Sequence, residues 1–198
     1  MEKPNLPAAR HFADEVRALY AQGLQEDALW QRIKDAMRPF LADPGLKAST
    51  RNWPATIEGS PTVKNLFFYE DPDYGFTFQA TVRKPNLITS VHDHGEVWTL
   101  YGLIDGHETM YRYERTDGGD RDTGPATLKL LGTDKLGPGD VDAVPPGNIH
   151  QEHAGPTQSY AFIVRGQRSG TFKQHWYEPE SGKVTVNDGP TLIPFALD

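Results

Sequence analysis

The sequence predicts a β-barrel or jelly roll with helices covering one side. Three observations predict it. Apolar residues in the first 45 positions recur at helical spacing, and from Val63 onward the pattern changes to period two. Glycine and proline, 19 and 16 in 198 residues, are spread along the chain as turn punctuation rather than clustered. A chain of this length makes one domain with a full core. The division expected is a helical segment, 1–45, packed on a barrel spanning 46–198.

The elements follow in order. Phe12, Val16 and Leu19 form one apolar stripe, and Leu29, Ile33 and Met37 a second, so two amphipathic helices are expected. Asp43-Pro44-Gly45 stops the second helix. Residues 46–62, with Pro54, Gly59 and Pro61, read as a linking loop. Segments 63–69, 74–83, 97–104, 108–114, 126–131, 141–144, 159–165 and 171–177 are rich in β-branched and aromatic residues. Turn signals separate them, among them Asp105-Gly106 and Pro145-Pro146-Gly147. Eight or so strands at this spacing make a sandwich or barrel.

Composition narrows the chemistry. A formal net charge of −7 disfavours nucleic acid, whose binding depends on Lys and Arg neutralising phosphates, and equally an anionic membrane surface. No apolar run is long enough to span a bilayer, and the N-terminus lacks the apolar core of a signal peptide. The expected location is cytoplasmic. Cysteine is absent, which excludes disulfides, thiolate metal sites and a cysteine nucleophile. Any metal must be held by His, Asp, Glu or carbonyl oxygen. P-loop, GxGxxG, GxSxG and HExxH patterns are absent too.

Four of the seven histidines fall in two tight clusters. In Val91-His92-Asp93-His94-Gly95-Glu96, strand parity would aim His92 and His94 at one interior point. Two neutral imidazoles there suit Fe, Ni, Cu or Zn. The second cluster closes Gly139-Asp140-Val141-Asp142-Ala143-Val144-Pro145-Pro146-Gly147-Asn148-Ile149-His150, in which a strand between glycines returns His150 to the interior. This stretch, G-x5-P-x-G-x2-H, resembles the second motif of the cupin superfamily at every fixed position. His92, His94 and Gly106 match the first motif, G-x5-HxH-x3-4-E-x6-G. Asn86 stands where its first glycine belongs, and Trp98 or Thr99 where its glutamate ligand belongs. The resemblance implies a double-stranded β-helix with a metal on His92, His94 and His150 and three coordination positions left open.

A three-histidine cupin site is similar to that of the thiol dioxygenases, cysteine dioxygenase and 3-mercaptopropionate dioxygenase among them. The stretch from His92 through Trp98, Gly102 and Asp105-Gly106-His107-Glu108 resembles theirs, as do Asn65-Leu66-Phe67-Phe68-Tyr69-Glu70-Asp71-Pro72 and the two N-terminal helices. The resemblance implies an Fe(II) dioxygenase that takes a small substrate and O2 together, with Ni, Zn or Mn as alternative metals. It breaks at the Ser-His-Tyr relay of that family, which becomes Ala161, Ile163 and Arg165, groups that include no proton relay. The family's crosslinking cysteine would fall near Thr99. Its carboxylate-binding position falls near Lys64 and Asn65, neither of which has arginine's fork.

Arg165 is therefore the expected partner of a substrate anion, or else of a buried acid such as Glu96. Neutral imidazoles leave the site a net 2+ charge, which favours an anionic substrate. Glu96 shares parity with the two histidines and is a candidate ligand or acid–base group. Tyr101 and Tyr111 are barrel residues, and Tyr101 is a candidate proton carrier. Thr99 is expected to line the pocket with Lys64 and Asn65, and Trp98 to be pocket wall or core. His153 falls on the opposite strand face from His150. His11, His107 and His175 read as surface or packing residues, and Asp93 as an outward support for its neighbours. Two other functions fit the same motifs: a non-oxidative metal-dependent lyase, isomerase or hydrolase, and a ligand-sensing cupin without turnover. A homodimer is compatible with either.

Overall fold

The computed structural model describes residues 3–55 and 64–198. Three helices come first: α1 Pro7–Tyr20, α2 Glu26–Leu41 and α3 Pro44–Ser49. Asp43-Pro44 does end α2, but it also starts α3. The Asp43 carboxylate accepts the Leu46 N–H at 2.9 Å, and Pro44 occupies a first-turn position where no N–H is needed. The loop expected over 46–62 is thus helical to Ser49, with a 3-10 turn at Thr50–Asn52. Its positions 56–62, and Val63 at the head of the first expected strand, lie outside the described residues.

Twelve strands follow: β1 Lys64–Glu70, β2 Thr77–Arg83, β3 Val91–His92, β4 Thr99–Asp105, β5 Glu108–Arg115, β6 Leu128–Leu136, β7 Val141–Val144, β8 Ile149–Ala154, β9 Ser159–Arg165, β10 Gln174–Tyr177, β11 Val184–Asn187 and β12 Thr191–Pro194. They form two six-stranded sheets, ordered β12-β1-β2-β9-β4-β7 and β11-β10-β3-β8-β5-β6. Pairing is antiparallel except for β1 with β12. This is a double-sheet jelly-roll arrangement, with the helices on one face. Four strands fall outside the segments expected from the sequence: β3, β8, β11 and β12. Each is short, and β3 and β8 carry the histidines in place of apolar alternation.

Parity on the first sheet separates two cores. Phe162 and Val164 on β9 face the helices, while Ala161 and Ile163 face the barrel with Tyr101, Leu103 and Met110. Phe12 of α1 stacks on Phe40 at 4.7 Å and on Phe78 at 5.2 Å, and Phe40 meets Phe162 edge-on at 4.9 Å. Gly102 on β4 admits α2. A Cβ there would lie 2.5 Å from Met37 Cε and 2.7 Å from a Leu41 methyl. The helices therefore seal the outer face of one sheet, and the barrel interior keeps a smaller apolar cluster beside its buried polar residues.

Candidate metal centre

His92 on β3 and His150 on β8 are direct cross-strand partners. Their rings lie 4.3 Å apart, and His94 lies 4.8 Å from His150 and 5.1 Å from His92. One nitrogen from each falls within 4.8 Å of the others, a group that could hold one ion. His94 arrives by a different route from the strand parity expected. β3 ends at His92, and Asp93–Glu96 turn, with Gly95 at φ +56°. That left-handed backbone suits glycine, and a Cβ would strike the Lys173 carbonyl.

The rings are set for ligation. His92 Nδ1 lies 2.9 Å from the Ser90 carbonyl and His150 Nδ1 3.2 Å from the Asn148 carbonyl. A carbonyl only accepts, so each Nδ1 carries the proton and each Nε2 keeps its lone pair. His94 is buried, and its Nδ1 has no hydrogen-bond partner, an orphan that ligation would satisfy. Burial holds His94 well below the ordinary histidine range, with Arg165 and the neighbouring histidines adding to it, and pushes His150 down to about 3. Both are neutral at pH 7, the state that binds metal. The residues present thus fit a divalent ion.

Asp93 turns out to be a clamp rather than an outward support. It is fully buried, and its carboxylate accepts from Gly95 N at 2.9 Å, Tyr177 OH at 2.9 Å and His175 N at 3.2 Å. His175, expected as a surface or packing residue, is 3% exposed and spans two acids: Nδ1 lies 2.8 Å from Asp93 and Nε2 2.8 Å from Asp122. The segment between β5 and β6 thereby reaches the turn that carries His94. No local pattern marks His175, because its role depends on β10 pairing with β3.

Other expectations need correction. Glu96 does not join the histidines. The turn at Gly95 breaks the parity that placed it there, and its side chain is 77% exposed beside Arg121. Trp98 does not line the barrel interior; it stacks on Trp30 of α2 at 6.0 Å, against the helical core. Lys64 is exposed at the start of β1. Asn65 is buried and donates to Gln79 at 3.0 Å, leaving its carbonyl oxygen unpartnered. Thr99 is buried opposite Arg165, its hydroxyl unpartnered. Tyr101 is interior, and its hydroxyl touches Arg83 and donates to Glu108 at 3.0 Å. Burial pushes that phenol well above its ordinary range. His153 faces away, stacked on Tyr111 at 4.1 Å. His11 and His107 are exposed.

Arg165 is 3% exposed and forms no ion pair among the described residues. Its Nη1 donates to Ser169 at 3.0 Å, its Nε has no partner, and its guanidinium lies 5.7 Å from the Phe172 ring. Burial pushes it down to about 10, so it stays cationic at pH 7. Sequence reasoning missed Arg83, Glu108 and Glu152. The interior Arg83 bridges both acids, contacting Glu108 and donating to Glu152 at 3.0 Å. Glu152 follows His150 by two on β8, a parity signal that was there to be read.

No family model matches the sequence, and no curated protein matches it. Among solved structures, the Cnp3 cupin domain of Schizosaccharomyces pombe is 10% identical over 52% of this chain and 60% of its own, with a TM-score of 0.41. A recombinant oxalate oxidase in complex with glycolate is 17% identical over 47% of this chain and 42% of its own, with a TM-score of 0.38. An uncharacterized protein with a double-stranded β-helix domain from Klebsiella pneumoniae is 14% identical over 59% of this chain and 80% of its own, with a TM-score of 0.40. This chain therefore spans less than two thirds of the first two. No residue role transfers at these similarities.

Proposed function

We propose that this chain is a metal-dependent oxidoreductase, a dioxygenase of the thiol-dioxygenase-like kind, acting on a small anionic or thiol-containing substrate. The observation that carries the reading is the grouping of three histidine nitrogens beside an interior arginine that forms no ion pair among the described residues. His92, His94 and His150 would hold the ion, Fe(II) first, with Ni, Zn and Mn as alternatives. Such an ion, held by three protein ligands, supplies open positions where O2 and a substrate meet. Arg165 orients the substrate's anionic group, and the unpartnered hydroxyl of Thr99, its cross-strand partner, offers a further polar group beside it. Tyr101 stays protonated and donates within the Arg83 network.

A second reading is a non-oxidative lyase, isomerase or hydrolase. It is favoured by Ala161 and Ile163, which put apolar packing where the thiol dioxygenases keep their relay. Metal analysis of protein purified without added metal, paired with O2-consumption assays on small thiols and carboxylates, separates the two. Iron with substrate-dependent O2 uptake is expected, and replacing all three histidines by alanine should abolish both. A metal-replete protein that never consumes O2 would favour the second reading. Undiminished metal in the triple variant would remove both.

A further inference from the structure

A buried carboxylate flanks two of the three histidines from a position outside both motifs. Glu152 is 4% exposed, with Oε1 3.8 Å from His150 Nε2 and Oε2 3.9 Å from His92 Nδ1. It is fixed from two sides: Arg83 Nη2 donates to Oε1 at 3.0 Å, and Thr89 Oγ1 donates to Oε2 at 2.6 Å. Neither histidine contact is a hydrogen bond, because both exceed hydrogen-bond length. On the His150 side the spacing instead suits groups facing a common cation, because Nε2 is the nitrogen left to ligate and two donors each about 2.1 Å from one ion stand roughly 3 to 4 Å apart. The His92 contact is to Nδ1, the nitrogen turned to the Ser90 carbonyl, and only places the carboxylate beside that ring.

Charge points the same way. Arg83 offsets one negative charge, yet it is shared between Glu152 and Glu108. Glu108 is served besides by Ser159 Oγ at 2.5 Å and by Tyr101 OH. The Arg83–Glu108–Glu152 unit therefore keeps one net negative charge inside the barrel. Arg165, the other interior cation, forms no ion pair with this unit: it donates to Ser169, feels Glu152 only at longer range, and bears on His94. A buried charge needs a counter-charge nearby.

We propose that Glu152 is the carboxylate of the metal centre, facing the ion from the His150 side and supplying the negative charge that a set of imidazole ligands lacks. This rests on the triad holding an ion. It places the acid two residues after the third histidine, on β8, rather than in the stretch after His94. A divalent ion there would be faced by the Glu152 carboxylate, and an anionic substrate would be drawn to Arg165.

The test is Mn(II) titration of the full-length protein, read as free Mn(II) by EPR, with circular dichroism to confirm folding. Glu152→Gln is expected to weaken Mn(II) binding by about 10- to 100-fold. Glu108→Gln removes the same charge from the same arginine but away from the histidines, and should stay within about threefold of the parent. Glu152→Gln binding as tightly as the parent overturns the proposal, and so does an equal loss in both variants. Should Glu152→Gln fail to fold, Thr89→Val decides: it frees Oε2 at a half-buried site and is expected to weaken binding at least threefold, and unchanged affinity would overturn the idea. His92→Ala with undiminished affinity would sink the triad reading beneath it, a separate failure.

Discussion

Arg165 concentrates the functional argument at the scale of single residues. A guanidinium taken out of water without an acid partner is strongly unfavourable. Its single hydroxyl acceptor, Ser169, offsets little of that. The arrangement makes sense as a binding device, where stability is given up for a cation waiting on an anion. Arg165→Met is expected to stabilise the metal-free protein while weakening a small carboxylate. The probe is acetate, followed by the visible spectrum of Co(II)-loaded protein. A loss of about 10- to 100-fold matches the 1.5–3 kcal/mol of a hydrogen bond to a charged group. A variant that loses stability and keeps acetate affinity would mark Arg165 as structural. Asn86 gives a smaller lesson at this scale. It replaces the glycine of the first motif and still adopts φ +59°, a left-handed conformation that asparagine tolerates better than most residues.

Among the elements, α2 and β4 meet with the least tolerance. Gly102 lets the helix lie against the strand at Met37 and Leu41. Gly102→Val would force both side chains off their positions and is expected to cost about 1–3 kcal/mol, read by urea denaturation. A change below about 0.5 kcal/mol would show that the helix yields freely. His92 and His150 sit on the other sheet and His94 in the turn after β3, so metal binding by the folded variant should be unchanged. β3 is the opposite case. Two residues long, it is held by β8, by β10 and by the Asp93 clamp. Sequence periodicity could not find it, because two residues make no period. β8 was hidden for a related reason: His150, Gln151, Glu152 and His153 give no apolar alternation, although their polar alternation is regular.

For the molecule as a whole, the barrel buries ionisable groups in a way that ties stability to pH. His94 and His150 stay neutral in the fold, whereas in the unfolded chain they titrate near the ordinary histidine value. The unfolded state therefore binds more protons as pH falls, and the folded state follows only near pH 3 for His150. Their folded pKa values are depressed, so stability is fully present above about pH 6.5 and declines below it. Metal-free protein should lose about 1.4 kcal/mol per pH unit for each such histidine between pH 6 and 4.5. Urea midpoints across that range check the slope. A flat profile would mean that the rings are solvated in the metal-free state.

The chain itself determined the two amphipathic helices, the period-two barrel strands and both histidine clusters, because these are local: an apolar stripe needs only its own spacing, and a motif only its own residues. The tertiary structure alone decided that Glu96 leaves the site while Glu152 flanks it, that Trp98 joins the helical core, and that His175 clamps Asp93. Each depends on which strands become neighbours and on a turn at Gly95 that resets side-chain direction. Such placements are sums of long-range pairings, which no short stretch of sequence contains.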